Sequence, residues 1–420
     1  MTLKSESIIP RSILWPFILL TSCFAWWGLA NNMTDTLLAA FKKIMSMSDF
    51  QTSWIQLAFY GSYFCLALPA AIYIKKFTYK SGVLLGLGLF VLGSLLFYPA
   101  SKTMNYWHFL ISLYILAGGL SILETSANPY IIAMGPEETG TRRLNFAQSF
   151  NPIGSILGVL LSKLFILSQL HPATAEERAA MAPDVLAGIQ SAELAAVMGP
   201  YVAVALVLLV LWVVLAKLKM PKVSDESASL DFGPTVKRLV HNRHYVWGVV
   251  AQFFYVGAQI GVWSFTIRYV MKEMDLNEAS AASYYLAALI LFAAFRFVCT
   301  WLMKYFKPGN LLALLAGLAI VCTLLVMFAG GPVGVYALVF ISACMSLMFP
   351  TIFGLAVRGL GSDTKIGGSG LIMAILGGAV LTAVQGMVSD ATGSINMAYG
   401  VPLVCFLVIA YYGAVACRRT

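Results

Sequence analysis

Charged residues are scarce in this sequence. They make up 11% of its 420 residues, whereas hydrophobic residues make up 60%. Soluble domains carry about 25% charged residues, and a soluble chain this apolar would need a larger core than one domain provides. The composition therefore excludes a soluble globular protein and predicts a protein that crosses the lipid bilayer many times.

Signatures of metal binding and catalysis are also missing. The seven cysteines form no CxxC pair, the four histidines form no HExxH motif, and no nucleophile–base or phosphate-binding pattern is present. Cysteines within apolar runs are typical of small core residues. We therefore expect no metal site, no cofactor and no enzymatic activity.

Long apolar runs dominate what is present. A bilayer-spanning helix needs about 20 mostly apolar residues, and twelve segments of the sequence meet that requirement. They predict an all-α integral membrane protein with twelve transmembrane helices, at residues 12–34, 51–74, 82–101, 106–134, 144–169, 196–217, 244–272, 281–304, 309–329, 332–358, 365–389 and 396–417.

A polar segment at residues 218–243 divides these helices into six and six. Similar stretches recur on either side of it: "YIKKFTYKSGVLLGL" pairs with "WLMKYFKPGNLLALL", and "NPYIIAMGPEETGTRRLNF" with "FPTIFGLAVRGLGSDTKIG". Two parallel six-helix halves are typical of the major facilitator architecture. We predict pseudo-symmetric bundles at 1–217 and 244–420, joined by a linker at 218–243, with a solute site between them at the middle of the membrane.

The basic residues predict the orientation. Most of the 27 lysines and arginines fall in segments on the side of the linker, and such residues concentrate in cytoplasmic loops. Both termini should therefore be cytoplasmic. The same bias explains the net charge of +9 without a nucleic-acid partner.

Two carboxylates interrupt the apolar runs, Glu124 in the fourth helix and Asp35 near the outer end of the first. A charged residue at the centre of a membrane helix costs about 2.5–3.5 kcal/mol on insertion scales. Asn31 and Asp35 are spaced i, i+4 and share one helical face. We predict that both acids have functional roles, although Asp35 could also simply meet water at the end of its helix.

Several amides and indoles complete the candidate site. Gln148 and Asn151 continue a polar stripe from Asn145 on the fifth helix, beside an "NPIG" stretch that predicts a bend. Amides can both donate to and accept from sugar hydroxyls, but they can also bond helices to one another. In the second half, the corresponding candidates on the seventh helix are Gln252, Gln259 and Trp263.

Three positions have open alternatives. Trp27 and Trp263 could stack on a sugar ring, although tryptophan also anchors helices at the membrane interface. Arg296, inside the eighth helix, is expected to bond either a carbonyl group or an acid.

The stretches "FAWWGLANNMTDTLL", "LETSANPYIIAMGPEETGTRRLNFAQSFNPIG", "AQFFYVGAQIGVWSFTIRY" and "FPTIFGLAVRGLGSDTK" resemble the L-fucose–proton symporter (fucose permease) family of the major facilitator superfamily. The resemblance covers nearly the whole chain. It implies proton-coupled uptake of a hexose across a bacterial inner membrane, by a monomer. The residues that it matches to the family's essential acids are Asp35 and Glu124, and those that it matches to sugar-contacting positions are Trp27, Asn32, Gln148 and Asn151.

Two departures from the family bear on which sugar is bound. Phe349 stands where the family leads us to expect a tyrosine, and Pro152 where it leads us to expect a serine. Coupling to Na⁺ remains an alternative, since two acids near amide oxygens could bind that ion. A drug or solute antiporter of the same fold is a further alternative, and a membrane enzyme has no motif to support it.

Overall fold

The computed structural model describes residues 9, 11–44, 49–173, 175–221 and 232–416, and within these ranges the regular secondary structure is entirely helical. The N-terminal half contains α1 (Leu14–Ile44), α2 (Asp49–Lys76), α3 (Tyr79–Thr103), α4 (Tyr106–Ala133), α5 (Gly140–Gln148), α6 (Phe150–Phe165), α7 (Ala175–Ala179) and α8 (Pro183–Lys217).

A short helix, α9 (Phe232–His241), lies between the halves along the chain. The C-terminal half contains α10 (Arg243–Met274), α11 (Glu278–Leu302), α12 (Pro308–Phe328), α13 (Gly331–Met345), α14 (Met348–Ala356), α15 (Thr364–Met373), α16 (Gly377–Thr392), α17 (Ile395–Ala398) and α18 (Gly400–Ala414).

Eleven helical stretches in the described ranges are long and apolar enough to cross a membrane. The twelfth crossing is made by α5 and α6 together, which are separated only at Ser149. The chain thus has the twelve-helix arrangement of two bundles that the sequence predicted. Successive crossings alternate in direction, so the start of α1, the segment around α9 and the end of α18 lie on one face, called here the linker side.

Several boundaries differ from the prediction. The first helix continues to Ile44 instead of ending at residue 34, and the predicted tenth helix is interrupted between Met345 and Met348. The predicted fifth helix is broken, the sixth begins at Pro183 rather than at residue 196, and the linker contains α9. Residues 183–195, which include the acids Asp184 and Glu193, fall between the predicted fifth and sixth helices. Glu193 is in fact buried on α8 in an ion pair with Arg178, so its charge is matched within the protein.

Prolines account for two of the helix breaks. Pro152 lies four residues after Gln148, and Pro350 lies four residues after Ser346. Because proline has no backbone N–H, it cannot donate the helical bond to the carbonyl group four residues earlier. The chain interrupts its α-helix at Ser149 and again between Met345 and Met348.

Glycines bring α1 and α6 into backbone contact, and this contact positions the candidate site. A Cβ atom at Gly154 would collide with the carbonyl group of Ala25, and one at Gly158 would collide with that of Leu29. On the α1 side, a Cβ at Gly28 would collide with the carbonyl group of Asn151. Small residues permit such close approach between membrane helices, so the two helices that carry Trp27 and Asn151 are held together.

The two halves contact each other on the linker side. Arg142 Nε donates to the carbonyl group of Thr300 at 3.2 Å, and the Gly359 N–H donates to Glu137 Oε1 at 2.9 Å. The α9 helix adds a bridge. Thr235 accepts a bond from Lys75 of α2 at 3.4 Å and donates one to Asp363 before α15. These contacts close the space between the halves on that side.

Candidate functional site

A cavity of about 170 Å³ lies between the two halves. Small-molecule sites in proteins are commonly larger, about 300–1,000 Å³, so this cavity suits a small solute. Both halves contribute to its wall, as expected for a solute held at the interface between two bundles.

The N-terminal half supplies most of the polar lining. This wall comes from α1, α2, α4, α5 and α6, and its polar members are Asn31, Asn32, Tyr60, Tyr63, Glu124, Gln148, Asn151 and Ser155. Trp27, Phe59 and Pro152 fill the spaces between them.

The C-terminal half supplies a wall that is mostly apolar and aromatic. Its lining residues are Val256, Gln259, Ile260, Trp263, Tyr285, Leu289, Phe292, Arg296, Phe349 and Ile375. Phe349 and Pro152, the two departures noted in the sequence, therefore both face the cavity.

Glu124 is the carboxylate of the described cavity wall. It is 1% exposed, and neither of its oxygens has a hydrogen-bond partner among the described residues. It also borders a small apolar pocket formed by Cys23, Phe24, Leu123 and Ala127 with Trp27. An ionised carboxylate without a partner is costly in such surroundings, so the site favours a group that can carry a proton.

Bonds within the protein orient the amides of the N-terminal wall. Gln148 Nε2 donates to Asn128 Oδ1 at 2.8 Å. Asn151 Nδ2 donates to the carbonyl group of Phe24 at 3.3 Å, and Asn32 Nδ2 donates to that of Gly28 at 3.2 Å. A polar group held in this way is pre-organised for a ligand, because less freedom is lost on binding.

Two indoles belong to opposite walls. Trp27 Nε1 donates to the Tyr63 hydroxyl at 3.2 Å, and Trp263 Nε1 donates to Ser342 Oγ at 3.2 Å. Trp263 also contacts Phe292 edge to face, with ring centroids 5.1 Å apart. The N–H groups are thus paired within the protein, which fixes the rings and leaves their faces for contact with a solute.

The structure gathers most of the predicted site residues around this one cavity. Trp27, Asn32, Glu124, Gln148, Asn151, Gln259 and Trp263 all line it. Asn145 lies off the cavity and instead bonds Thr351 of the other half. Asp35 belongs to α1, but its side chain lies outside the described part of the structure.

Gln252 is placed elsewhere. It is fully buried, does not line the cavity, and its amide has no partner among the described residues. Its spacing of seven residues from Gln259 put both near one face of α10, but that face is longer than the cavity. The helix carries Gln252 past the cavity, toward the linker side.

The tyrosines of α2 were missed. Tyr60 and Tyr63 line the cavity, and their spacing of three residues places them on one helical face. That spacing, beside Phe59, was the signal available in the sequence. The same spacing is also common where aromatic residues pack in a core. Only the arrangement of α1, α2 and α4 shows that these tyrosines line the cavity.

Comparison with known proteins agrees with this arrangement. The family profile described as "Major Facilitator Superfamily" matches residues 17–381. The chain is 40% identical to the L-fucose-proton symporter of Haemophilus influenzae, over 97% of this chain and 98% of that protein. It is 33% identical to a glucose/galactose transporter of Brucella abortus, over 95% of this chain and 93% of that one.

Solved structures give the same result. A crystal structure of the Escherichia coli fucose:proton symporter FucP superposes with a TM-score of 0.91 at 40% identity, covering 97% of this chain and 99% of that one. A second crystal structure, of FucP in the outward conformation, gives the same values. A xylose transporter XylE mutant matches with a TM-score of 0.76 at 11% identity, which shows the shared fold alone.

Proposed function

The chain belongs to the major facilitator superfamily, within the family of L-fucose–proton symporters, and from that premise we propose that it takes up a monosaccharide together with a proton. It is a membrane transporter and not an enzyme. The observation that carries the proposal is the cavity between the halves, where a buried carboxylate, oriented amides and two indoles meet. Amides match sugar hydroxyls, and aromatic faces match the apolar face of a sugar ring.

Glu124 is the proposed proton carrier. A carboxyl group without a partner in apolar surroundings is stable when protonated, and a sugar beside it can supply the hydrogen bonds that it lacks. Proton loading and sugar binding would then favour each other, which is the requirement for symport. Asp35 is the proposed second acid, on the strength of its place on α1 and the family resemblance.

The energy of one proton suffices for substantial accumulation. Moving one charge through about 100 mV is worth about 2.3 kcal/mol. Since about 1.4 kcal/mol corresponds to a tenfold ratio, one proton per sugar supports roughly 50-fold accumulation.

L-Fucose is the first substrate to test, because two relatives of this chain are named for it. The glucose/galactose transporters among the relatives make other hexoses the second choice. Phe349 has no hydroxyl group to offer a sugar, and Pro152 stiffens the backbone beside Asn151. Both features act on the choice among sugars rather than on the class of solute.

We further propose that the chain works as a monomer in a bacterial inner membrane, with both termini cytoplasmic. The functional division follows the predicted boundaries, with bundles at 1–217 and 244–420 and a linker at 218–243. The proposal that one copy suffices is supported by the position of the cavity between the two halves of the same chain. Reporter fusions to the C-terminus and to the α8–α9 segment would test the orientation.

Purified protein in liposomes tests the function directly. Adding substrate on one side, without any Na⁺ in the buffers, should make the external solution more alkaline as protons enter with sugar. A panel of L-fucose, D-arabinose, D-galactose and D-glucose identifies the substrate. Uptake that requires Na⁺ at constant pH would support the sodium-coupled alternative instead.

A further inference from the structure

Arg296 connects the two proline-associated helix breaks. Its guanidinium is buried, at 3% exposed, and lies over the ring of Phe292. Nε donates to the carbonyl group of Ser346, and Nη1 donates to the carbonyl group of Gln148 at 3.0 Å. The two acceptors belong to different halves of the protein.

Both acceptors are carbonyl groups that a proline leaves without its usual helical donor. Pro152 cannot donate to Gln148, and Pro350 cannot donate to Ser346, since each lies four residues further along and has no N–H. A buried carbonyl group needs a partner. The fixed fork of an arginine can serve two acceptors at once, and here it serves one from each half.

No carboxylate of the described residues forms an ion pair with Arg296. Glu124 lines the same cavity, but its oxygens have no hydrogen-bond partner in the described ranges. Tyr255, whose hydroxyl donates to the neighbouring carbonyl group of Met345, completes the contacts at the break between α13 and α14. The guanidinium is therefore committed to backbone oxygens, and the acid remains unpaired.

We propose that Arg296 is a positioning residue for solute binding: from the C-terminal half, it holds the backbone at Gln148 and so sets the polar wall of the N-terminal half. Gln148 contributes its carbonyl group to Arg296 and its side chain to the cavity. The bond also crosses the interface between the halves at the level of the solute, so the affinity of the polar wall depends on how the halves are arranged. This inference rests on the proposed sugar-binding function of the cavity.

A double-mutant cycle between Arg296 and Pro152 tests the inference. In Pro152→Ala, residue 152 regains an N–H that can donate to Gln148, so the carbonyl group no longer depends on Arg296. Substituting Arg296→Gln in the parent protein should weaken sugar binding about tenfold, the usual scale for losing a bond to a charged donor. In the Pro152→Ala background the same change should cost only about two- to threefold.

Binding is measured by quenching of tryptophan fluorescence in detergent, which needs no ion gradient. If Arg296→Gln lowers sugar affinity equally in the two backgrounds, the proposal is overturned. The effect of a residue that only supports folding, or that touches the sugar itself, would not depend on residue 152. Arg142→Gln is the matched control, because Arg142 also donates to a carbonyl group across the interface but lies away from the cavity. Any change in affinity caused by Arg142→Gln should be equal in the two backgrounds.

A second variant and a second measurement cover the cases in which the first experiment gives no result. If Arg296→Gln does not fold, Arg296→Lys retains the charge on a single nitrogen atom without the fork of the guanidinium. The same dependence on residue 152 is then expected, with a smaller loss of affinity. If no sugar binds the parent protein, it is the proposed function that fails. The double-mutant cycle is then evaluated from the melting temperatures of the four proteins. Coupling between residues 152 and 296 in melting temperature would then support the bond, and additive shifts would contradict it.

Discussion

The two walls of the central cavity differ in chemistry. The N-terminal wall carries the buried acid Glu124, whose oxygens have no hydrogen-bond partner among the described residues, and amides such as Gln148, whose side chain bonds within its own half. The C-terminal wall is built mainly from aromatic and aliphatic side chains. We therefore propose that recognition of hydroxyl groups and handling of the proton belong to the N-terminal half. The C-terminal half supplies an apolar surface for the solute to pack against, and its Arg296 bonds the backbone of the polar wall at Gln148. A solute that contacts both walls connects proton loading to the closing of the halves.

The largest effect is expected from disturbing the packing that builds the polar wall. Gly154→Ala places a Cβ against the carbonyl group of Ala25, and overpacking of this kind costs about 1–3 kcal/mol. Transport should be lost and the melting temperature lowered. Gly199→Ala on α8, where no atom lies within 4 Å of the added Cβ, should preserve both. Full activity in Gly154→Ala would show that close contact of α1 and α6 is not needed.

The next largest effect should follow from removing an amide of the polar wall. Gln148→Ala or Asn151→Ala deletes a group that faces the cavity, and a lost hydrogen bond costs about 0.5–1.5 kcal/mol. Sugar affinity should fall up to about tenfold, as measured by equilibrium binding. The control is Asn145→Ala, on the same stripe but off the cavity, which should change affinity little. If Asn145→Ala lowered affinity more than Gln148→Ala and Asn151→Ala, the solute would have to bind elsewhere.

The aromatic wall should be more tolerant. Trp263→Phe keeps an aromatic face but removes the bond to Ser342, so we expect about a threefold loss of affinity, the scale of a single aromatic contact. Phe349→Tyr adds a hydroxyl group to the same wall and should change the order of preference among sugars more than the affinity for the best one. If Trp263→Phe lowered affinity as much as Gln148→Ala, the two walls would not differ in their importance for binding.

The smallest effect is predicted for Gln252. The sequence placed it with the sugar-binding residues, but the structure buries it off the cavity. Its amide has no hydrogen-bond partner among the described residues. Gln252→Leu should leave affinity unchanged and should maintain or raise the melting temperature, since it removes buried polar atoms without partners. A loss of affinity would restore the original prediction and imply that the solute reaches further toward the linker side.

Sequence reasoning predicted the regular parts of this molecule well. Apolar runs about 20 residues long gave the twelve crossings, and polar interruptions gave Glu124, Gln148 and Asn151. The prediction failed where charged side chains pair inside the protein. The predicted sixth helix left out Glu193, whereas the structure buries it on α8 in an ion pair with Arg178. Pro152 indicated a bend, but only the fold shows that Arg296 reaches the carbonyl group that this proline leaves unpaired.

The central claim is that Glu124 couples the proton to the sugar, and Glu124→Gln in liposomes tests it most directly. The amide keeps the size and polarity of the acid but cannot exchange a proton. The account predicts that sugar counterflow, which needs no net proton movement, persists in this variant, whereas accumulation driven by a proton gradient is abolished. The exposed Glu278→Gln should retain both activities. Accumulation of sugar against its gradient by Glu124→Gln would contradict the account.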